Sequence, residues 1–169
     1  MSRNGIIFNT IFTLVRSIVY AVCFIGFFWW VAIQVRVFDA RIGIELTNWV
    51  IVPGIALLIV GALIGISCIV SFIFVGKGTP AIFDPPREFV AKGPYRYCRN
   101  PMYIGGLSLL LGLAFVEHSI SILIFFLVMC NVVQLFVIYY EEPGLKKRFG
   151  ESYIRYLQTV PRWIPRFKN

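Results

Sequence analysis

The chain has 169 residues, of which 59% are apolar and only 14% charged, and its mean hydropathy is +0.80. These values lie far outside the range of soluble domains, so they exclude an ordinary soluble protein and indicate an integral membrane protein. The net charge of +8 would suit nucleic acid, but the basic residues are distributed as in membrane proteins. We therefore expect no nucleic-acid partner.

Four apolar segments are candidates to cross a bilayer, for which about 20 apolar residues suffice. They cover residues 13–35, 49–75, 101–116 and 120–140, and the third is short. The pattern predicts an all-α polytopic membrane protein with about four transmembrane helices, preceded by an interfacial segment at residues 2–12. We divide it into N-terminal membrane helices at 1–75 and a second module at 76–169.

Basic residues gather in two parts of the chain. Five of the sixteen lysines and arginines lie in the loop 76–100, and seven lie in the tail after residue 145. Because positive charge marks the cytoplasmic side of a membrane protein, we predict that this loop, the tail and both termini are cytoplasmic. The membrane would be a bacterial inner membrane or an equivalent one.

The second apolar segment contains Gly61 and Gly65 in a GxxxG arrangement. Small residues at this spacing allow two helix backbones to approach closely. The sequence leaves open whether the partner is another helix of the same chain or a second copy in a homodimer.

The loop 76–100 is rich in glycine and proline, which excludes a continuous helix there. Apolar side chains are nevertheless spread through it at Ile82, Phe83, Phe89 and Val90. We expect these residues to anchor the loop against the helix ends.

Asn100-Pro101 predicts the start of the third membrane helix, because asparagine is a favoured N-cap and proline a favoured first residue. Free backbone N–H groups and the helix dipole make such a start an anion site. Arg96 and Arg99 lie beside it. The alternative is that these arginines bind lipid phosphates and the cap has no further role.

The third and fourth helices are joined by little more than His118 and Ser119, which predicts an antiparallel hairpin. Its outer ends, Asn100-Pro101 and Glu141-Glu142, should then meet. Glutamates at a helix C-terminus need compensating positive charge, from neighbouring Arg or Lys or from a ligand. Adjacent anion and cation sites match the carboxylate and ammonium of an α-amino acid.

Asn131 and Gln134 lie near the same face of the fourth helix as Glu141. Polar groups within a membrane helix usually face the interior of the bundle. These two side chains are candidates for substrate contact, and hydrogen bonding between helices is the alternative.

The tail after Pro143 carries apolar and aromatic side chains at helical spacing, with basic residues between them. They are Leu145, Phe149, Tyr153 and Tyr156. The spacing predicts an amphipathic helix lying on the membrane, with Trp163 as an interfacial anchor.

Two stretches carry a family resemblance, "GPYRYCRNPMYIGG" at 93–106 and "YEEPGLKKRFGESYIRYLQTVPRWIP" at 140–165. Together they resemble the isoprenylcysteine carboxyl methyltransferase and phospholipid methyltransferase superfamily of integral membrane enzymes. The shared pattern is Gly-x-Tyr, Arg-His-Pro-x-Tyr, paired glutamates, Phe-Gly-x-x-Tyr-x-x-Tyr and Val-Pro, and it covers roughly residues 77–166.

The resemblance implies S-adenosylmethionine bound on the cytoplasmic side. The predicted cofactor contacts are Arg87, Val90, Tyr95, Arg99, Asn100, Pro101, Met102, Tyr103 and Glu141. The candidate catalytic residues are Asn100, Tyr103, Glu141 and Glu142, and no metal is expected. Glu141 would bind the methionine ammonium, and donors at the Asn100-Pro101 helix start would bind the carboxylate.

The predicted function is methyl transfer to a lipid or lipophilic acceptor. Two departures from the family pattern narrow the possible mechanisms and acceptors. Asn100 replaces the usual histidine and cannot act as a general base. Val137 stands where the isoprenylcysteine enzymes have an acceptor-linked arginine, which disfavours a prenylcysteine carboxylate as acceptor. The alternatives are a non-enzymatic lipid-binding or scaffold protein and, with weaker support, a nicotinamide-dependent reductase.

Overall fold

The structure, a computed structural model, describes residues 3–76 and 89–166 and is helical, without a strand among these residues. The helices are α1 (Arg3–Arg36), α2 (Asp39–Ile42), α3 (Ile51–Ser71), α4 (Pro101–Val116), α5 (Ile120–Phe136), α6 (Glu142–Phe149) and α7 (Glu151–Thr159). The prediction of an all-α protein is confirmed. Residues 2–12 were expected to precede the first helix, but α1 begins at Arg3 because no proline interrupts this segment.

Three stretches are long and apolar enough to cross a membrane. They are Ile11–Ile42, Asn48–Gly76 and Ile120–Phe149. The helix Pro101–Val116 is also apolar but shorter. The protein is therefore an integral membrane protein with three helices of spanning length, and the crossing by α4 remains a prediction.

Glycines bring α3 and α4 into close contact. A Cβ atom added to Gly61 would lie 2.7 Å from the carbonyl oxygen of Gly105, and one added to Gly112 would lie 2.8 Å from that of Gly54. Only glycine fits at such distances. Gly61 thus packs within the chain, whereas a Cβ added to Gly65 would meet nothing within 4 Å. The predicted homodimer remains untested.

The hairpin of α4 and α5 turns within three residues, as predicted. Ser119 caps α5 by accepting a hydrogen bond from the Ile122 backbone N–H at 3.0 Å. Arg36 of α1 forms an ion pair with Glu117, and Asp39 accepts a hydrogen bond from the Ser121 backbone N–H at 2.8 Å. We call Arg36, Asp39 and Glu117 the turn-end cluster.

Two π-helical turns lie at the opposite end of the bundle. Phe72–Gly76 extends α3 and Val137–Glu141 extends α5. Each π turn accommodates one residue more than an α turn and so changes which side chains face inward. The second of them ends on Glu141.

The prediction of a single amphipathic tail helix is wrong. Gly150 separates α6 from α7 and has φ of +52° and ψ of −130°. Side chains other than hydrogen rarely tolerate this conformation. Tyr153 and Tyr156 are buried, and the Phe89 ring lies 5.6 and 4.9 Å from theirs. The aromatic face therefore packs against the loop, which Phe89 and Val90 anchor as predicted. Ile82 and Phe83 lie outside the described residues.

Candidate functional site

The two outer ends of the α4–α5 hairpin meet, which confirms the predicted juxtaposition. The Tyr103 hydroxyl donates a hydrogen bond to Glu141 Oε2 at 2.8 Å. Arg99 Nη1 donates to Glu142 Oε1, also at 2.8 Å. We call this end of the hairpin the open end.

Glu142 is engaged by two guanidinium groups. Besides Arg99, Arg162 donates from Nε to Oε1 at 2.9 Å and from Nη2 to Oε2 at 3.0 Å. The Glu142 side chain is 11% exposed, so these charge-assisted bonds are sheltered from water. Its hydrogen bond to Arg162 raises the pKa of that guanidinium. The protein itself thus supplies the positive charge that Glu142 requires.

Glu141 differs from its neighbour. Within residues 3–76 and 89–166, its side chain bonds to the neutral Tyr103 hydroxyl and no lysine or arginine forms an ion pair with it. A carboxylate that is largely withdrawn from water without a cation is costly to maintain. The site therefore contains one acidic group whose charge the described residues leave uncompensated.

The start of α4 differs from the prediction in one respect. Pro101 is the first helical residue, as predicted, but Asn100 does not cap the helix with its side chain. Its Nδ2 instead donates to the Arg162 carbonyl at 3.1 Å, because the Arg99 N–H binds the Pro161 carbonyl at 2.9 Å and holds that segment alongside. The first-turn N–H groups of α4 thus receive no cap from the Asn100 side chain.

The Arg99 side chain has a further free donor. Its Nε is buried and has no hydrogen-bond partner among the described residues. An unpaired donor on a buried guanidinium is unfavourable unless an acceptor is bound. Arg99 lies two residues before Pro101, the first residue of α4.

Three predicted cofactor contacts belong to an apolar cluster behind the open end. Val90 and Tyr95 are buried with Cys68 of α3, and Met102 packs against them. The Tyr95 ring contacts Phe72 edge-on at 5.4 Å. Burial raises the pKa of the Tyr95 phenol well above its ordinary value, so this group remains neutral. Arg87 lies outside the described residues.

The two predicted substrate contacts on α5 have different surroundings. Gln134 Oε1 accepts a hydrogen bond from the Trp163 indole at 2.6 Å. Asn131 is exposed and donates to the Leu127 carbonyl of its own helix at 2.8 Å. Of these two residues, only Gln134 is connected to the open end, through its bond to Trp163 of the tail. Trp163, predicted as an interfacial anchor, thus also bonds to α5.

Residues 161–166, which we call the tail strap, are the part of the site that the sequence did not reveal. The strap pairs with the segment before α4 through Pro161 and Arg166, whose N–H binds the Tyr97 carbonyl at 3.1 Å. The Cys98 thiol donates to the carbonyls of Arg162 and Trp163. The one usable signal was the need of a buried glutamate for nearby guanidinium groups.

A family model described as phospholipid methyltransferase matches residues 49–152, more than half of the chain. The chain belongs to the phospholipid methyltransferase family. The matched region extends from before α3 into α7 and includes Asn100, Tyr103 and both glutamates of the open end. Comparison with curated proteins and with solved structures gave no match. Membership in the phospholipid methyltransferase family makes this protein a membrane methyltransferase for lipid-like substrates.

Proposed function

We propose that the open end binds S-adenosylmethionine at the cytoplasmic face and that the methyl group passes to a lipid or lipophilic acceptor. In this arrangement α4 crosses the membrane and both termini are cytoplasmic. The observation that carries the proposal is the carboxylate of Glu141, which lies 2.8 Å from the Tyr103 hydroxyl and forms no ion pair among residues 3–76 and 89–166. It lies beside a helix start that the Asn100 side chain does not cap.

The free groups fit the amino-acid part of this cofactor. Glu141 fits the ammonium, since a desolvated carboxylate binds a cation strongly. The first turn of α4 and the unpaired Nε of Arg99 fit the carboxylate, which a helix N-terminus also favours. The distribution of free charge at the open end thus complements a zwitterion.

When bound, the cofactor supplies an electrophilic methyl group on a sulfonium centre. The contribution of the protein is chiefly to position the donor and the acceptor, since in-line displacement needs little covalent assistance. Glu141 and Tyr103 would hold the ammonium at the amino-acid end of the donor, and the start of α4 would hold the carboxylate of the same end. Asn100 cannot remove a proton, so it would not activate an acceptor that has to lose one.

Glu142 has a positioning role in this proposal, although the sequence suggested a catalytic one. Both of its carboxylate oxygens are bound by Arg99 and Arg162, so it ties the start of α4 to the tail strap. Gln134 and Asn131 remain proposed contacts of the acceptor, which would approach from the bilayer along α5.

The test is transfer of tritium from methyl-labelled S-adenosylmethionine into the organic extract of membranes that contain the protein. Label should enter a lipid fraction with the wild-type chain and should fall to background with Glu141→Ala. Mass spectrometry of the labelled lipid would identify the acceptor. Equal labelling by the Glu141→Ala variant would refute the role of Glu141, and an absence of cofactor binding by the wild type would favour a lipid-binding scaffold.

A further inference from the structure

A crevice of about 240 Å³ lies between the turn Gly93–Arg96 and the tail. It borders the tail strap but contains none of Tyr103, Glu141 and Glu142. It is lined by Arg96, Tyr97, Thr159, Val160 and Arg166. Two of these five side chains are guanidinium groups and none is acidic. The crevice is thus a concave surface with an excess of positive charge.

Tyr97 fixes both arginines at this crevice. The Arg96 guanidinium carbon lies 5.0 Å from the centroid of the Tyr97 ring, a distance at which a cation is attracted to the ring face. The backbone N–H of Arg166 donates to the Tyr97 carbonyl at 3.1 Å. The side chain of Tyr97 therefore positions Arg96, and the main chain of Tyr97 positions Arg166.

No ion pair within the described part of the chain compensates the charge of either arginine. Arg99 and Arg162 form ion pairs with Glu142, whereas no described acidic residue forms an ion pair with Arg96 or Arg166. Both are exposed. Of the two arginines that the sequence placed beside the start of α4, one is directed to Glu142 and the other is available for an anion.

The shape and charge favour a phosphate group as the ligand. Guanidinium groups bind phosphate with paired, charge-assisted hydrogen bonds. A volume of about 240 Å³ lies below the roughly 300 to 1,000 Å³ of pockets that enclose a drug-sized ligand. The crevice can therefore accept a phosphate group but is smaller than pockets that enclose a drug-sized ligand.

The surroundings of the crevice favour a lipid as the source of this phosphate. Ile164, two residues before Arg166, is 81% exposed, which suits contact with acyl chains. Trp163 is bonded to Gln134 of α5, so the strap lies against a membrane-spanning helix. The apolar helix α4 begins five residues after Arg96. The arginines therefore lie where the chain leaves its apolar region, at the level expected of lipid headgroups.

We propose that this crevice binds the phosphate of a membrane phospholipid, with Arg96 and Arg166 as its cationic walls and with the nearby exposed Ile164 available to the acyl chains. This assignment goes beyond the proposed methyl transfer and does not rest on it, because lipid binding is measurable without a methyl donor.

The experiment is native mass spectrometry of the full chain in detergent, titrated with phosphatidylglycerol. The variant R96Q/R166Q should bind this lipid about tenfold more weakly, because each arginine contributes a charge-assisted hydrogen bond. The control K146Q/R155Q removes the same net charge from exposed positions on α6 and α7. It should retain affinity within about twofold, since exposed charges away from a site act weakly.

Three outcomes would overturn the proposal. One is equal weakening in both double variants, which would indicate attraction by net charge alone. Another is displacement of the lipid by excess inorganic phosphate but not by potassium chloride of equal ionic strength, which would indicate a site for free phosphate. The third is loss of equilibrium S-adenosylmethionine binding in R96Q/R166Q, which would assign the crevice to the methyl-donor site. Retained donor binding with weakened lipid binding supports the proposal whether or not methyl transfer is detected.

Discussion

The two ends of the α4–α5 hairpin both carry acidic side chains, but they use them differently. At the turn end, Glu117 forms an ion pair with Arg36 and Asp39 accepts a backbone hydrogen bond from Ser121. At the open end, Glu142 is paired twice, and Glu141 is bonded only to a phenol among its described neighbours. An acidic group whose charge is met by the fold supports structure, and one whose charge is not met can bind a ligand.

The largest expected effect comes from replacing one glutamate by glutamine at each end of the hairpin. Glu141→Gln keeps the size of the side chain and its hydrogen bond from Tyr103 but removes the charge. Binding of radiolabelled S-adenosylmethionine should weaken about 100-fold or more, as for loss of a buried charge-assisted contact. Glu117→Gln is the matched control and should bind the cofactor like the wild type. Similar losses in both variants would remove the functional difference between the ends.

Glu142→Gln should lower the free energy of unfolding, and not only the affinity for the cofactor. It leaves two guanidinium groups without their partner, and breaking a buried ion pair costs about 3 to 5 kcal/mol. The Arg99 side chain is only 13% exposed. At the turn end the Arg36 side chain is 51% exposed, so Arg36→Gln should cost about 1 kcal/mol or less. Reversible unfolding in mixed micelles measures the loss of stability in both variants. Equal losses would contradict the difference in burial between the two ion pairs.

Helix α3 packs closely on α4 between the two ends of the hairpin. Gly61→Ala places a Cβ atom 2.7 Å from the Gly105 carbonyl oxygen and should destabilise the protein by about 1 to 3 kcal/mol through overpacking. Gly65→Ala meets no atom within 4 Å and should be neutral. If Gly65→Ala instead dissociated a dimer in crosslinking experiments, the predicted homodimer would gain its first support.

The smallest effect concerns the phenol that contacts Glu141. Tyr103→Phe removes one neutral hydrogen-bond donor, so cofactor affinity should fall about threefold to tenfold. Tyr139→Phe, at a side chain that is 76% exposed in the same π turn, should leave the affinity unchanged. An effect of Tyr103→Phe as large as that of Glu141→Gln would mean that the phenol itself is required for catalysis.

Much of the hairpin could be predicted because its signals are local. Asn100-Pro101 fixed the beginning of α4, and the short link at His118 and Ser119 fixed the turn. Antiparallel geometry then required the paired glutamates to approach the start of α4. Each of these inferences depends on residues within a few positions of the feature that they determine.

The contacts of the tail could not be predicted in the same way. Arg162 lies 20 residues after Glu142, and nothing local to either residue marks them as partners. The Asn100 side chain was expected to cap its own helix, but a carbonyl from the strap provided a competing acceptor. The break at Gly150 was missed because the aromatic spacing on both sides fits one helix equally well.

The π turn at Val137–Glu141 makes the position of the glutamates sensitive to chain length. An α-helix turns by about 100° per residue, and a π turn absorbs one additional residue at this place. Adding a further residue to the turn would exceed what one π turn absorbs and would rotate the following segment by roughly that angle. Glu141 would then leave Tyr103, although no side chain of the pair had been altered. Insertions in this turn should therefore be less well tolerated than most exchanges of side chain within it.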